Sequence, residues 1–376
     1  VRDEGANQQI LGAASDVAGN VGSGSISISL DKTAPNINAV VPSANPFGWY
    51  NTDITVGFNA EDTLSGVDSV SGPVTLTDEG ESQPVSGRAV DRAGNQATAT
   101  TTVNIDKTPP TVTATAAAEP NSHGWYRSDV IFNVSAVDSL SGVASVDTPV
   151  TVGSEGANQL VPSYATDKAG NVGAATATVN IDKTAPDVQV NGVTNNGVYT
   201  LNQAVSPSWT ADDLLSGVES IVPSGSSLDT GSVGEKTFSV TATDNAGNAN
   251  TVTITYNVVY NFGGILQPIN PAGSSVFKLG STVPVKFQLT DSDKVFVSTA
   301  LAKIYYAKIK DNIVGTNVEA VSTSNATTGN LFRYDLTNNQ YIFNLSTKSG
   351  FSPGTYQISI ILDDGSPAKT VEIGLK

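Results

Sequence analysis

Short runs of alternating apolar and polar residues recur along the chain and predict β-strands. Residues 132–136 (FNVSA) and 175–181 (ATATVNI) both alternate in this way. Successive side chains of a strand point to opposite faces, so this alternation is typical of strands that bury one face. The chain lacks the helical period of about 3.6 residues. We therefore expect an all-β protein of short strands joined by many turns.

Three short motifs return in fixed order along most of the chain. The aspartate that begins Asp-x-Ala-Gly-Asn recurs at spacings of 75, 76 and 77 residues, as Asp16, Asp91, Asp167 and Asp244. The motif Asp-Lys-Thr-x-Pro begins at Asp31, Asp106 and Asp182, and Asp-x-Leu-Ser-Gly-Val begins at Asp62, Asp138 and Asp213. A unit of this length, with six or seven short strands, predicts a tandem array of β-sandwiches.

These motifs resemble those of bacterial immunoglobulin-like repeats, which occur in adhesins, surface-layer-associated proteins and multidomain exported enzymes. The resemblance covers residues 1–258 and implies a sandwich fold and a surface-exposed role. We predict complete domains at 31–105, 106–181 and 182–258. Residues 1–8 match residues 152–159 late in their unit, so 1–30 is expected to hold only the C-terminal half of a domain. Its missing strands either lie outside this sequence or come from another polypeptide.

The last part of the chain, 259–376, does not continue the repeat. It resembles the PxKF domain, whose motif is matched by Pro284, Lys286 and Phe287. That family often closes exported bacterial proteins, and its function is not established. Alternation at 283–289 and 356–362 predicts one more β-sandwich, distinct from the others. Proline cannot donate to a strand ladder, so Pro284 is expected at an edge or a bulge.

Composition and charge narrow the function classes. The net charge is −16, and residues 1–258 carry 27 acidic and 9 basic side chains against 8 and 10 in residues 259–376. The acidic part disfavours nucleic acid as a partner and favours cations. The chain has no cysteine for disulfides or thiolate metal sites, and no apolar run long enough for a membrane span. The absence of methionine indicates a piece of a longer protein.

The motif aspartates are the candidate site residues. In immunoglobulin topology the first strand begins at the end of the sandwich that carries the loop after the second strand and the last hairpin turn, so the three aspartates of a repeat should meet there. Calcium takes about six to eight oxygen ligands, often from carboxylates. We predict calcium sites at the joints between domains, formed by Asp31, Asp62 and Asp91, by Asp106, Asp138 and Asp167, and by Asp182, Asp213 and Asp244, with Asp212 beside the last set.

Other interpretations of these aspartates remain open. Aspartate is favoured at turn starts because its carboxylate accepts hydrogen bonds from nearby backbone N–H groups, with no metal involved. The lysine that follows each repeat-opening aspartate (Lys32, Lys107, Lys183) offers a positive charge that would neutralise a cluster without metal. Asp53 and Asp129 begin second strands at the opposite end, where they are expected to approach the next unit.

Catalysis has little support in the sequence. The single histidine, His123, lies in a turn without a counterpart in the other repeats, and Asp363 and Asp364 are typical of a hairpin turn. The aromatic residues Trp49 and Trp125 are interpreted as packing residues, with a sugar-stacking platform as the alternative. We therefore do not expect an enzyme.

The sequence favours a non-catalytic, extracellular structural module of a large exported surface protein. Its expected partners are other domains of the parent protein or neighbouring subunits of a surface assembly. Two alternatives stay open: an adhesin that binds carbohydrate or a surface receptor, and an accessory region of an exported hydrolase.

Overall fold

The structure is a computed structural model that describes residues 1–272 and 275–376. Every regular element in these ranges is a β-strand, which confirms the prediction of an all-β fold. None of the described residues forms a helix of the length and apolar character needed to cross a membrane. The chain divides into two compact units, Val1–Asp182 and Lys183–Lys376. The finer division into five domains stays a prediction.

The first unit opens with a single antiparallel hairpin, formed by β1 (Gly5–Ser15) and β2 (Val21–Leu30). The register runs from Gly5 opposite Leu30 to Ser15 opposite Val21, with an irregularity after Gly5. The first Asp-x-Ala-Gly-Asn motif forms the turn. Most hairpin side chains are exposed on both faces, because no second sheet covers them within the described residues.

Residues 31–105 form a sandwich of two three-stranded sheets. Its strands are β3 (Asn36–Val40), β4 (Ile54–Glu61), β5 (Val67–Val70), β6 (Val74–Leu76), β7 (Gly80–Asp91) and β8 (Gln96–Ile105). The sheet orders are β3-β4-β6 and β5-β7-β8. Alternate residues of facing strands fill the space between the sheets, with Val56 and Phe58 from one side against Val85 and Val103 from the other.

Residues 106–181 repeat this arrangement. The strands are β9 (Thr111–Ala116), β10 (Val130–Val137), β11 (Val143–Val146), β12 (Val150–Val152), β13 (Gly156–Asp167) and β14 (Val172–Ile181). The sheets are ordered β12-β10-β9 and β11-β13-β14. Phe132 takes the core position that Val56 has in the preceding repeat, and it packs with Val161 and Val179. The same sequence pattern thus gives the same core twice.

The second unit begins with a sandwich that has lost part of the pattern. Its strands are β15 (Asp187–Asn191), β16 (Gly197–Thr200), β17 (Ser208–Asp212), β18 (Val218–Pro223), β19 (Gly234–Asp244) and β20 (Ala249–Val259). The sheets are β15-β17 and β16-β20-β19-β18, with β16 parallel to β20. Trp209 packs in the core, its ring 6.1 Å from that of Phe238. Trp209 thus contributes a large side chain to this core.

The last sandwich holds the largest core. Its strands are β21 (Asn261–Ile265), β22 (Ser275–Phe277), β23 (Thr282–Thr290), β24 (Ala302–Lys310), β25 (Ile313–Val314), β26 (Val318–Glu319), β27 (Arg333–Asp335), β28 (Gln340–Ser346), β29 (Gly354–Leu362) and β30 (Lys369–Leu375). A sheet β21-β23-β28-β27 faces a sheet β22-β30-β29-β24-β25, to which β26 adds at β24. Phe287 and Tyr341 stack at 5.0 Å between them. Strand β21 pairs with β23 from Phe287 to Thr290, so Pro284 lies beyond this paired stretch.

Candidate cation-binding clusters and the joints between repeats

The aspartate of each Asp-x-Ala-Gly-Asn motif closes its own turn. Asp91 Oδ1 accepts the N–H groups of Ala93 at 2.9 Å and Asn95 at 2.7 Å, and Oδ2 accepts the side-chain amide of Asn95 at 2.7 Å. Gly94 has φ of 93°, in the left-handed region that favours glycine. Asp16 makes the same bonds in the N-terminal hairpin. Turn capping is therefore a real role of these residues.

The aspartate of Asp-x-Leu-Ser-Gly-Val closes a second turn. Asp138 Oδ1 accepts the N–H groups of Leu140 at 3.2 Å and Gly142 at 2.6 Å. Asp106, which opens the repeat, accepts the N–H of Ser141 on Oδ2 at 2.9 Å and so fixes the first strand against this turn. The preceding repeat makes the equivalent bonds. Both turns and the start of the first strand thereby meet at one end of the sandwich.

Two of the three predicted aspartate sets come together within the first unit. In each set one carboxylate oxygen per residue lies within 4.8 Å of the other two, for Asp31, Asp62 and Asp91 and for Asp106, Asp138 and Asp167. The third set divides between the units, since Asp182 ends the first while Asp213 and Asp244 belong to the second. The convergence itself follows from topology, whereas metal binding stays a prediction.

The carboxylate oxygens of each set are the type of ligand that a hard cation such as calcium prefers. Three carboxylates supply up to six oxygens, which is the lower end of what calcium takes. The Oδ2 atoms of Asp62 and Asp138 accept no hydrogen bond from the parts of the chain that the structure describes. These two oxygens are therefore the first candidate ligands, and Asp31 and Asp106 lie beside them with oxygens already bound to backbone N–H groups.

The turn bonds also set the charge of the cluster. Burial acts to raise the pKa of Asp91, but hydrogen bonds from Asn95 and Ala93 outweigh it and hold that pKa below its ordinary value. At the exposed Asp16 the side-chain hydrogen bond from Asn20 leads in lowering the pKa. Asp91 is only 2% exposed, yet its carboxylate is kept anionic, which is the form that ligates a metal.

Two lysines of the Asp-Lys-Thr motif, Lys32 and Lys107, point away from the clusters. The ammonium of Lys107 donates to Asp53 and to the carbonyl of Thr77, both in the preceding repeat. The ammonium of Lys32 donates to the carbonyl of Arg2 at 2.7 Å. These two ammonium groups hold the preceding segment and do not neutralise the aspartates. Asp53 does approach the next repeat, as the sequence predicts, but there its carboxylate forms an ion pair with the ammonium of Lys107.

A glutamate that the sequence reasoning missed completes the joint. Glu79 Oε1 accepts the backbone N–H of Lys107 at 2.6 Å and the hydroxyl of Thr108 at 2.9 Å. Glu4 does the same for the N–H of Lys32 at 2.5 Å and for the hydroxyl of Thr33 at 2.8 Å. The signal is visible in the sequence as a recurring Glu-Gly-x-x-Gln, which starts at Glu4, Glu79 and Glu155. Glu4 and Glu79 join successive repeats within the first unit.

The loop before the second strand forms the other side of the joint. Asn45 donates its side-chain amide to the carbonyl of Lys168 at 2.7 Å. Asn51 lies beside Gly170 in the same turn. The linker between these repeats has no spare residue, because the N–H of Asp106 already bonds to the carbonyl of Tyr50 at 2.9 Å. Contacts on both sides of the linker therefore hold the two repeats together.

The remaining candidates have structural roles. Trp49 is 7% exposed, which supports its interpretation as a packing residue and removes its face from any sugar platform, and Trp125 is half-buried. His123 lies exposed in a loop. Asp363 accepts the N–H of Leu301 at 3.0 Å, and the fully buried Asp364 accepts the N–H of Tyr260 at 2.9 Å. The two acids bind different backbone groups from the turn between β29 and β30.

The chain is similar in sequence to adhesins. No family model matches the chain. The chain is 29% identical over 232 residues to the serine-rich adhesin for platelets of Staphylococcus aureus strain N315, covering 57% of this chain and 10% of the adhesin. Another Staphylococcus aureus adhesin of that name is 30% identical over 230 residues, with the same coverage. The chain thus spans about a tenth of the length of the curated relatives it matches.

Solved structures give a looser likeness. A tetra-tandem repeat from the extending region of a large adhesion protein has a TM-score of 0.26 and 13% identity, covering 100% of this chain and 93% of its own. The I67–I69 fragment of the titin I-band has a TM-score of 0.23 and 11% identity, covering 72% and 99%. The strands and sheets of this chain form tandem immunoglobulin-like β-sandwiches. The resemblance of residues 259–376 to the PxKF domain stays a prediction.

Proposed function

We propose that this chain is a non-catalytic spacer and interaction module of an extracellular surface protein. The joint between residues 31–105 and 106–181 carries the proposal. It has no spare linker residue, and it is held by Glu79 on one side and by Asn45 on the other. A joint bound at two separated points resists bending, which a spacer needs to hold its neighbours at a fixed distance.

The likeness to an adhesin supports a place at the cell surface and a part in adhesion. The partners we propose are other domains of the parent protein and neighbouring subunits of a surface assembly. Carbohydrate binding through stacked aromatics has less support, because Trp49 is buried. A role beside an exported hydrolase stays open as a prediction.

The spacer proposal is tested by the relative motion of the two repeats. Residual dipolar couplings measured on the intact chain report the alignment of each sandwich separately. We expect one common alignment tensor for residues 31–105 and 106–181. Two clearly different tensors would show independent tumbling and would rule out the spacer at this joint.

Calcium at the aspartate clusters is the second element of the proposal. Three observations support calcium binding. They are the convergence of the carboxylates, the availability of the Oδ2 atoms of Asp62 and Asp138 as ligands, and the net charge of −16. Bound calcium would supply positive charge between carboxylates that otherwise repel. It would also link the first strand to both turns, since each of the three carboxylates comes from a different segment.

Calcium is tested by melting the chain in chelator and in millimolar calcium. A ligand at about 100 times its Kd stabilises the folded state by about 2.7 kcal/mol, so we expect a clear rise in Tm. In Asp138→Asn the Oδ1 acceptor stays while a ligand charge is lost, and the rise should shrink. Asp16→Asn is the control, because Asp16 also caps a turn, that of the Asp-x-Ala-Gly-Asn motif, but belongs to none of the aspartate clusters. Identical melting of the unmodified chain in both buffers would refute the calcium element and leave the spacer untouched.

A further inference from the structure

The inner face of the N-terminal hairpin is built like a core face but has no cover. Ile28 in β2 is 37% exposed, whereas the residues at the same place in the next two repeats, Val103 and Val179, are each 3% exposed. Both valines are covered by the sheet that carries Phe58 or Phe132. The repeat itself therefore shows which kind of sheet belongs on this face.

Two glycines of the hairpin lie at positions where the complete repeats have close contacts, and these contacts are missing in the hairpin. Gly12 corresponds to Gly87, where an added Cβ would overlap the ring of Phe58, yet nothing lies within 4 Å of such an atom at Gly12. Gly22 corresponds to Gly173, where an added Cβ would overlap the carbonyl oxygen of Pro110. At Gly22 the space is open on the inner side. The hairpin thus keeps room for an aromatic ring and for a crossing first strand.

The first joint, between residues 1–30 and 31–105, is open at a place where the second joint, between residues 31–105 and 106–181, is closed. In the second joint Asn45 reaches the carbonyl of Lys168, and Ala169 is 4% exposed. The equivalent Arg92 and Ala93 are exposed. They line a cavity of about 350 Å³, together with Gly5, Leu30, Asp31 and Ser65. The contact made by Glu4 is present at this joint, so only the side formed by the loop before the second strand is missing.

We propose that the inner face of residues 5–30 and the adjoining cavity form a docking surface for the first half of a repeat of this same type. That half has the chemistry of residues 31–75, which contain Phe58, Pro35 and Asn45. It brings an aromatic ring over Gly12, a Pro carbonyl onto Gly22 and an Asn side chain to the carbonyl of Arg92. A second copy of the whole chain fits poorly, because its own first halves already cover their partner sheets.

The experiment supplies that half at high effective concentration. A copy of residues 31–75 is joined ahead of Val1 in the full chain, because residues 76–83, which follow that half, align with residues 1–8. Amide hydrogen exchange is then measured across 5–30 in the extended and the original chain. We expect exchange in β1 and β2 to slow by about tenfold or more in the extended chain, since burial between sheets suppresses local opening.

Two variants separate docking from an unspecific effect of the added segment. In the extended chain Gly12→Leu fills the space for the ring and should restore fast exchange, while Ala13→Leu, on the opposite face of β1, should leave the protection intact. Equal exchange in the extended and original chains would overturn the proposal, and so would protection that Gly12→Leu does not alter. Protection of the hairpin in the original chain that rises with its own concentration would assign the face to a second copy and overturn it as well.

Discussion

The backbone N–H of Lys107 donates to the carboxylate of Glu79 at 2.6 Å across the junction of two repeats. Lys32 and Glu4 make the same bond at the preceding junction, at 2.5 Å. A carboxylate that accepts two donors from the next repeat fixes direction as well as distance, because charged acceptors make the stronger hydrogen bonds. This bond therefore links the repeat motif Asp-Lys-Thr to the geometry of the joint.

Loss of that carboxylate should loosen the joint and leave both sandwiches folded. In Glu79→Ala we expect the alignment tensors of 31–105 and 106–181 to separate, while amide exchange in the two cores stays unchanged. Glu81→Ala is the control, because Glu81 lies two residues after Glu79, in β7, and is exposed. Unchanged tensors in Glu79→Ala would show that Asn45 and the short linker hold the joint alone.

A methyl group added at Gly87 should destabilise the sandwich of residues 31–105. The new Cβ would overlap the ring of Phe58, and overpacking of a core costs about 1–3 kcal/mol. The matched change Gly12→Ala should stay within about 0.5 kcal/mol, because its Cβ enters open space. Thermal unfolding of both variants provides the comparison, and an equal effect of the two changes would contradict the close packing of Phe58 on Gly87.

Sequence reasoning reached the fold and the meeting of the aspartates because both follow from periodicity and topology. Alternation fixes which residues face the core, and the order of motifs places Asp106, Asp138 and Asp167 at one end. The recurring Glu-Gly-x-x-Gln motif marks Glu79 as a repeated feature, but the motif alone does not identify a partner 28 residues away. The local sequence does not predict the direction of the Lys107 side chain either, since a long flexible side chain can reach either end of the joint.

Stability of the sandwich of residues 31–105 should fall in acid as Asp91 is protonated. Its folded pKa lies below the ordinary value, so its contribution is complete above the unfolded pKa and is lost as pH falls through the folded pKa. With an unfolded pKa near 3.9, the loss is expected below about pH 4. Asn95→Ala removes a hydrogen bond that lowers this pKa and should flatten the acid limb of a Tm-against-pH curve. If the Tm-against-pH curve of the variant runs parallel to that of the unmodified chain, other carboxyl groups dominate acid unfolding.

Tyr341 should contribute to the stability of the C-terminal sandwich through its hydroxyl group. The hydroxyl oxygen accepts the N–H of Ala300 at 2.9 Å inside the core. Tyr341→Phe leaves that buried N–H without a partner, which costs about 1–3 kcal/mol. Tyr164→Phe is the control, because Tyr164 is 49% exposed and should change stability by less than about 0.5 kcal/mol.

Alkaline titration of the same residue gives an independent measurement. Burial raises the pKa of Tyr341 to about 12, so the folded state holds this proton after the unfolded chain has lost it. Its contribution to stability is therefore complete below about pH 10 and falls as pH rises from about 10 to about 12. The difference in unfolding free energy between the unmodified chain and Tyr341→Phe should narrow over that range. A difference that stays constant up to pH 12 would mean that Tyr341 ionises as easily in the folded chain as in the unfolded one.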